Sequence, residues 1–167
     1  MQLKRGCKGW WIALLVAAAD RVTKAVVHRW WDRPRLLDRT FDPLIPGVVN
    51  IKMATNRGVA FSMLSGQTVL LTVLALVVIA LVAGWLVAHP DEHRYVRAGL
   101  WMVVGGGLGN LYDRLAYGYV IDFIDLAFVR FAVFNVADVC ICLGAALVVA
   151  GAFIEEREKK ERTHGQV

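Results

Sequence analysis

Four apolar runs, each about as long as a lipid bilayer is thick, constrain this chain more than any other feature. They cover approximately Gly9–Val27, Val69–Ala88, Tyr95–Arg114 and Val136–Ile154, and about 20 helical residues span roughly 30 Å of hydrocarbon. The hydrophobic share, 57%, exceeds the roughly 45–50% of soluble domains. No small-residue cleavage site follows the first run, which is read as a retained span rather than a removable signal. Trp10 and Trp11 open it, and Trp30 and Trp31 follow about 19 residues later, the spacing of two interfacial aromatic belts. The expected fold is an all-α integral membrane protein of four transmembrane helices. It forms a single membrane-embedded domain over residues 1–167, with 155–167 as a tail.

Charged residues still make up 20% of the chain, with a net charge of +5. They belong in loops, tails and a few deliberate places within the spans. A basic membrane protein facing anionic lipid accounts for the sign. No basic stripe with interleaved aromatics marks a nucleic-acid surface, so no nucleic acid is expected as a partner. Cys140 and Cys142 are too close on one helix to bridge each other, and Cys7 is distant in sequence, so three free thiols are expected. His89 and His93 flank Pro90 without a third ligand nearby, which favours a solvated loop over a metal site.

An even number of spans puts both termini on one side. Lys4, Arg5 and Lys8 precede the first span, Arg94 and Arg97 separate spans two and three, and Arg157, Lys159, Lys160 and Arg162 follow the fourth. The first loop is also basic, with Arg29, Arg33, Arg35, Arg39, Lys52 and Arg57. Density over short segments favours cytoplasmic termini. Alternating spans then carry a scattered set of polar residues to the same, outer face: Asp20 and Lys24, Asn56, Asn110 with Asp113 and Arg114, and Asn135 with Asp138. Asp122 and Asp125 belong to the connection on that face. The opposite ends of the spans have no comparable set, so the acids read as one site near one interface.

The connection between spans one and two is about 40 residues, long enough to suggest a function. Within it "VVNIKMATN" alternates Val49, Ile51 and Met53 with Asn50, Lys52 and Ala54, a short strand pattern approached through Pro43, Pro46 and Gly47. A small β element on the outer surface is expected. The stretch "YVIDFIDLAFVRFAVF" between spans three and four reads equally as a strand or a short interfacial helix, and a short loop or helix is expected there.

Taken singly, the polar residues have ordinary explanations. Asp20 and Lys24 are a favourable i,i+4 pair; Gly105 and Gly109 suit a close helix contact; Arg114 could snorkel to the interface. Asn135 with an acid three residues later suits a helix start. Asp122, among Val120, Ile121 and Phe123, caps nothing obvious. None of these explains why all of them share one face. Two carboxylates in a low-dielectric site share a proton, which is aspartic-protease chemistry. Thr55, Ser62 and Ser65 have no His or Lys placed to activate them.

The blocks "DRVTK", "NRGVAFS", "GGGLGNLYDR", "VIDFID" and "FNVADV" resemble, in this order, those of bacterial lipoprotein signal peptidases, or signal peptidase II. The resemblance runs from about residue 10 to 154, with Val59 a departure where the family more often has alanine. It implies an intramembrane aspartic endopeptidase that cleaves prolipoproteins just before a diacylglyceryl-modified cysteine, without metal or cofactor. By its motifs the dyad is Asp122 and Asp138, with Asp125 a supporting or surface acid. Asn56 and Arg114 would hold the substrate backbone, and Asn110 and Asn135 would orient the dyad. Asp20 with Lys24 would stabilise the site or contact substrate. The family fold adds an extracytoplasmic β-cradle. The implied partners are lipid-modified prolipoproteins and membrane lipid, with no obligate protein partner evident. The implied location is the bacterial inner membrane, with the active site near its outer face. A proton-coupled exporter would instead place acids near the midplane within inverted repeats, which are not seen, and a four-helix adaptor would leave the dyad unexplained.

Overall fold

A computed structural model of the chain describes residues 8–31, 42–58 and 66–164. Cys7, Val59, Ala60, Phe61, Ser62 and Ser65 lie outside them. Among the described residues four long helices, α1 (Trp10–Trp31), α2 (Thr68–Ala88), α3 (Arg94–Tyr117) and α4 (Val136–His164), are joined by a small sheet of β1 (Asp42–Ile45), β2 (Val49–Asn56) and β3 (Val120–Leu126). Length and composition make α2 and α4 apolar enough to cross a membrane. The other two are as long, but Asp20, Arg21 and Lys24 interrupt α1, and Arg94, Arg97, Asp113 and Arg114 interrupt α3.

The helix α3 is the centre of the bundle and packs against each of the other three. Its glycines allow this. A Cβ on Gly105 would meet the Ala13 carbonyl of α1 at 2.6 Å, and one on Gly106 would meet the Ala137 carbonyl of α4 at 2.5 Å. α2 is the peripheral member, burying only Leu71 and Leu86. α4 runs past the apolar run into residues 155–164, where the sequence suggested only a tail. Glu155 with Lys159 and Glu156 with Lys160, both at 2.6 Å, carry it on as i,i+4 pairs.

Gly118 stops α3: its left-handed φ of 76° lets its N–H reach the Arg114 carbonyl at 3.0 Å and turns the chain into β3. The loop or short helix expected here is therefore corrected to a strand. Val120, Ile121 and Phe123 are all buried, and the backbone satisfies itself by pairing with β2, an option that a lone interfacial helix at this point would not need. The sheet is antiparallel in the order β1-β2-β3. Pro43 is tolerated because β1 is an edge strand.

The register of β2 against β3 slips by one residue. Ile51 faces Ile124, but Ala54 faces Asp122, so Lys52 and Met53 together oppose Phe123. Such a bulge reverses which side chains point to which face. On an unbroken ladder Asn56 would share the face of Asn50; the bulge puts it on the face of Asp122 instead. Phe134 then bridges to Ile124, folding residues 127–134 back so that α4 starts beside β3.

Candidate active site

Asp122 and Asp125 stand three residues apart on a regular strand, so they point to opposite faces. Asp125 turns away from the bundle and accepts from Asn50 Nδ2 at 3.2 Å. Asp122 turns inward and is buried. Its Oδ2 accepts from Asn56 Nδ2 at 2.9 Å and its Oδ1 from Asn135 Nδ2 at 2.6 Å. Asn56 is itself held by the Gly58 N–H, which donates to its Oδ1 at 2.9 Å.

Asp138 enters from the first turn of α4. Asn135 and Asp138 form a reciprocal capping box: the Asp138 N–H donates to Asn135 Oδ1 at 3.0 Å, and the Asn135 N–H to Asp138 Oδ2 at 3.3 Å. The helix-start reading and the site reading of these residues are thus the same geometry. The other oxygen, Asp138 Oδ1, accepts from Asn110 Nδ2 at 2.7 Å, and Asn110 Oδ1 accepts from Asn135 Nδ2 at 3.1 Å. Two asparagines, one from α3 and one from the cap of α4, therefore connect Asp122 to Asp138.

Behind them lies a fully buried ion cluster. Lys24 sits 2.9 Å from Asp20 Oδ2 and 2.8 Å from Asp113 Oδ2, and donates to Asn110 Oδ1 at 3.1 Å. Gly109 makes room for it, since a Cβ there would lie 2.5 Å from Asp20 Oδ2. Asp20 Oδ1 accepts from the Ala137 N–H at 3.1 Å, at the positive end of α4. Asp113 accepts from Arg21 and, at 3.2 Å, from the Ile121 N–H of β3. Sequence reasoning quoted Asp113 without giving it a site role and passed over Arg21. The available signals were that Asp113 follows Asn110 by one helical turn and that Arg21 adjoins Asp20.

Burial pushes the Asp122 carboxyl up to about 6; the Asn56 donor opposes this, the nearby Asp138 charge adds to it, and the Asn135 donor opposes it. Asp138 lines a cavity of about 500 Å³ together with the polar Asn56, Asn110 and Arg114 and with apolar residues that include Phe131, Phe134, Val139 and Leu143. Arg114 donates to the carbonyls of Asn110 and Gly58, each at 3.4 Å. A mainly apolar lining with a few polar residues suits a ligand that is part peptide and part hydrocarbon.

The class follows from comparison of the fold. The chain is similar to a solved bacterial membrane enzyme with a TM-score of 0.77, at 26% identity over 90% of this chain and 89% of that one. A second such enzyme gives a TM-score of 0.72, also at 26% identity, over 84% and 88%. The family model for signal peptidase (SPase) II matches residues 12–154, and the chain belongs to that family of proteases. Curated lipoprotein signal peptidases agree. That of Thermosynechococcus vestitus is 37% identical over 144 residues, covering 86% of this chain and 90% of the relative. That of Pseudoalteromonas translucida is 36% identical over 165 residues, covering 95% and 96%.

Proposed function

We propose that this protein removes the signal peptide from diacylglyceryl-modified prolipoproteins, cleaving just before the lipidated cysteine, with Asp122 and Asp138 as an aspartic dyad. The observation that carries the reading is the pair of carboxylates joined through Asn110 and Asn135, with Asp138 lining a mainly apolar cavity that Asn56, Asn110 and Arg114 also border. Charge supports a single shared proton. Arg21, Lys24 and Arg114 supply three cations to this neighbourhood, against the four carboxylates Asp20, Asp113, Asp122 and Asp138. One proton on the dyad makes the cluster neutral, which a low-dielectric surrounding favours.

The chemistry needs nothing more than water. The ionised carboxylate takes a proton from a water molecule while the neutral one donates its proton to the scissile carbonyl oxygen, giving a tetrahedral diol. As the C–N bond breaks, one diol hydroxyl gives its proton to the ionised carboxylate and returns the carbonyl, while the departing amine, on the lipidated cysteine, takes up the proton that the other carboxyl had drawn from water. Asn56 and Arg114 border the cavity where the substrate backbone would lie. No metal or cofactor enters any step.

We read the four helices as four membrane spans, with both termini in the cytoplasm and the site near the outer face of a bacterial inner membrane. α2 supports this by exposing Val69, Leu70, Leu74 and Leu81 along its length, as a lipid-facing helix does. A substrate anchored by acyl chains then meets the dyad without leaving the bilayer. The test is cleavage of a lipidated prolipoprotein by purified protein. Asp122→Asn and Asp138→Asn should each lower kcat by ~10²–10⁴-fold or more, with folding retained by thermal melting, while Asp125→Asn, on the far face of the sheet, should be mild. Near-normal turnover in either dyad variant would sink the mechanism.

A further inference from the structure

Lys24 has no exposed surface, and no step of the hydrolysis uses it. Asp20 and Asp113 already pair its ammonium, with Arg21 sharing Asp113, and its third contact is to an amide oxygen, Asn110 Oδ1. An asparagine amide is two-ended: the oxygen only accepts and the nitrogen only donates. Turned one way, Asn110 offers N–H to Asp138; turned the other, it would set oxygen against a carboxylate oxygen. Two donors on Asn110 Oδ1 fix the choice, Asn135 Nδ2 and the Lys24 ammonium, and of these only the ammonium has no acceptor end. Asn135 is set in the same manner by the Asp138 N–H on its Oδ1, so its own Nδ2 faces Asp122 and Asn110.

We propose that Lys24 is a positioning residue for peptide hydrolysis: by holding Asn110 Oδ1 it aims Asn110 Nδ2 at Asp138 and keeps Asp138 as the charged member that takes the proton from water. This rests on the dyad assigned above and adds a separate claim, that the buried ion cluster acts on the reaction through one amide. The charged groups around the dyad are Asp20, Arg21 and Lys24 from α1, Asp113 and Arg114 from α3, and the two acids themselves on β3 and α4. Asn56 faces it from β2 as a neutral donor.

Lys24→Met alone would leave two buried carboxylates short of a cation and could unfold the protein. The informative variant is Lys24→Met made with Asp20→Asn, which removes one charge of each sign, measured against Asp20→Asn. The full chain is assayed in lipid on a lipidated prolipoprotein, with and without Asn110→Ala. The expected result is a kcat about 10–100-fold lower, KM within about twofold, and an acid limb of the kcat profile moved to higher pH. The limb moves upward because the ionised dyad has lost a donor and a cation and so takes its second proton more readily. Adding Asn110→Ala should cost little more, since both changes remove one interaction. Multiplying losses, or an unmoved acid limb with kcat falling only as the melting temperature falls, would overturn the proposal. Asp138→Asn in the same assay separates the two claims: its retention of activity would remove the dyad reading itself.

Discussion

At the scale of single residues, Asp122 is the group whose environment speaks most directly to activity. Its carboxyl is neutral below about 6 and ionised above. A dyad that needs one proton therefore loses activity on the alkaline side as Asp122 ionises, and on the acid side as the pair takes up a second proton. Asn56 Nδ2 donates to the ionised form and so favours it. Replacing Asn56 by alanine removes that donor, raises the Asp122 carboxyl further, and should carry the alkaline limb to higher pH. The same change should lower kcat/KM by about one to two decades through the lost contact. A pH series of kcat/KM for Asn56→Ala beside wild type decides it. A limb that stays in place would return Asn56 to substrate binding alone, the role its motif implied.

At the scale of elements, the bulge in β2 is what makes Asn56 available. Inserting one alanine after Ala54, with the bulge kept, should turn Asn56 to the Asn50 face and cost at least the loss seen for Asn56→Ala, whereas Met53→Ala should leave turnover near normal. Circular dichroism and thermal melting would show whether the sheet survives the insertion; full activity in the insertion variant would rule out strand register as what sets Asn56 beside Asp122. This is also where the sequence was least readable. The alternation through Val49, Ile51 and Met53 announced a strand, but a period-two pattern carries no mark of the residue at which it slips. The identity of β3 was open for a related reason: Val120, Ile121 and Phe123 are buried on both faces, so their run lacks the alternation that separates strand from helix. The polar cluster was easier to read, because buried Asp20, Lys24, Asn110 and Asn135 are costly among apolar neighbours and stand out by residue type alone. Asp113 was legible as a member of that outer-face set but not in its role, because its carboxylate binds Lys24 and Arg21 of another helix.

For the whole molecule, the proposed orientation in the membrane makes a labelling prediction. With Cys7, Cys140 and Cys142 replaced, a probe cysteine at Phe128, which is 69% exposed, should react with a membrane-impermeant reagent on intact cells, and one at Glu161 should not. The reverse pattern would invert the protein and put the acids on the wrong side for exported substrates. Helix count and order were legible from the apolar runs, because length and composition set them. The extension of α4 beyond residue 154 was not, since its Glu–Lys pairs match a solvated tail as well as a helix.

The Asp20 carboxylate and the Ala137 amide that it accepts from are 117 residues apart in the chain. A ribosome delivers them in that order, and Asp138 comes one residue later still. For most of its own synthesis the nascent polypeptide therefore carries Asp20 and Lys24, joined later by Asn56 and then Asp122, without the helix that completes them. On the proposed mechanism the enzyme is born inert, and it becomes a hydrolase only when its last helix docks.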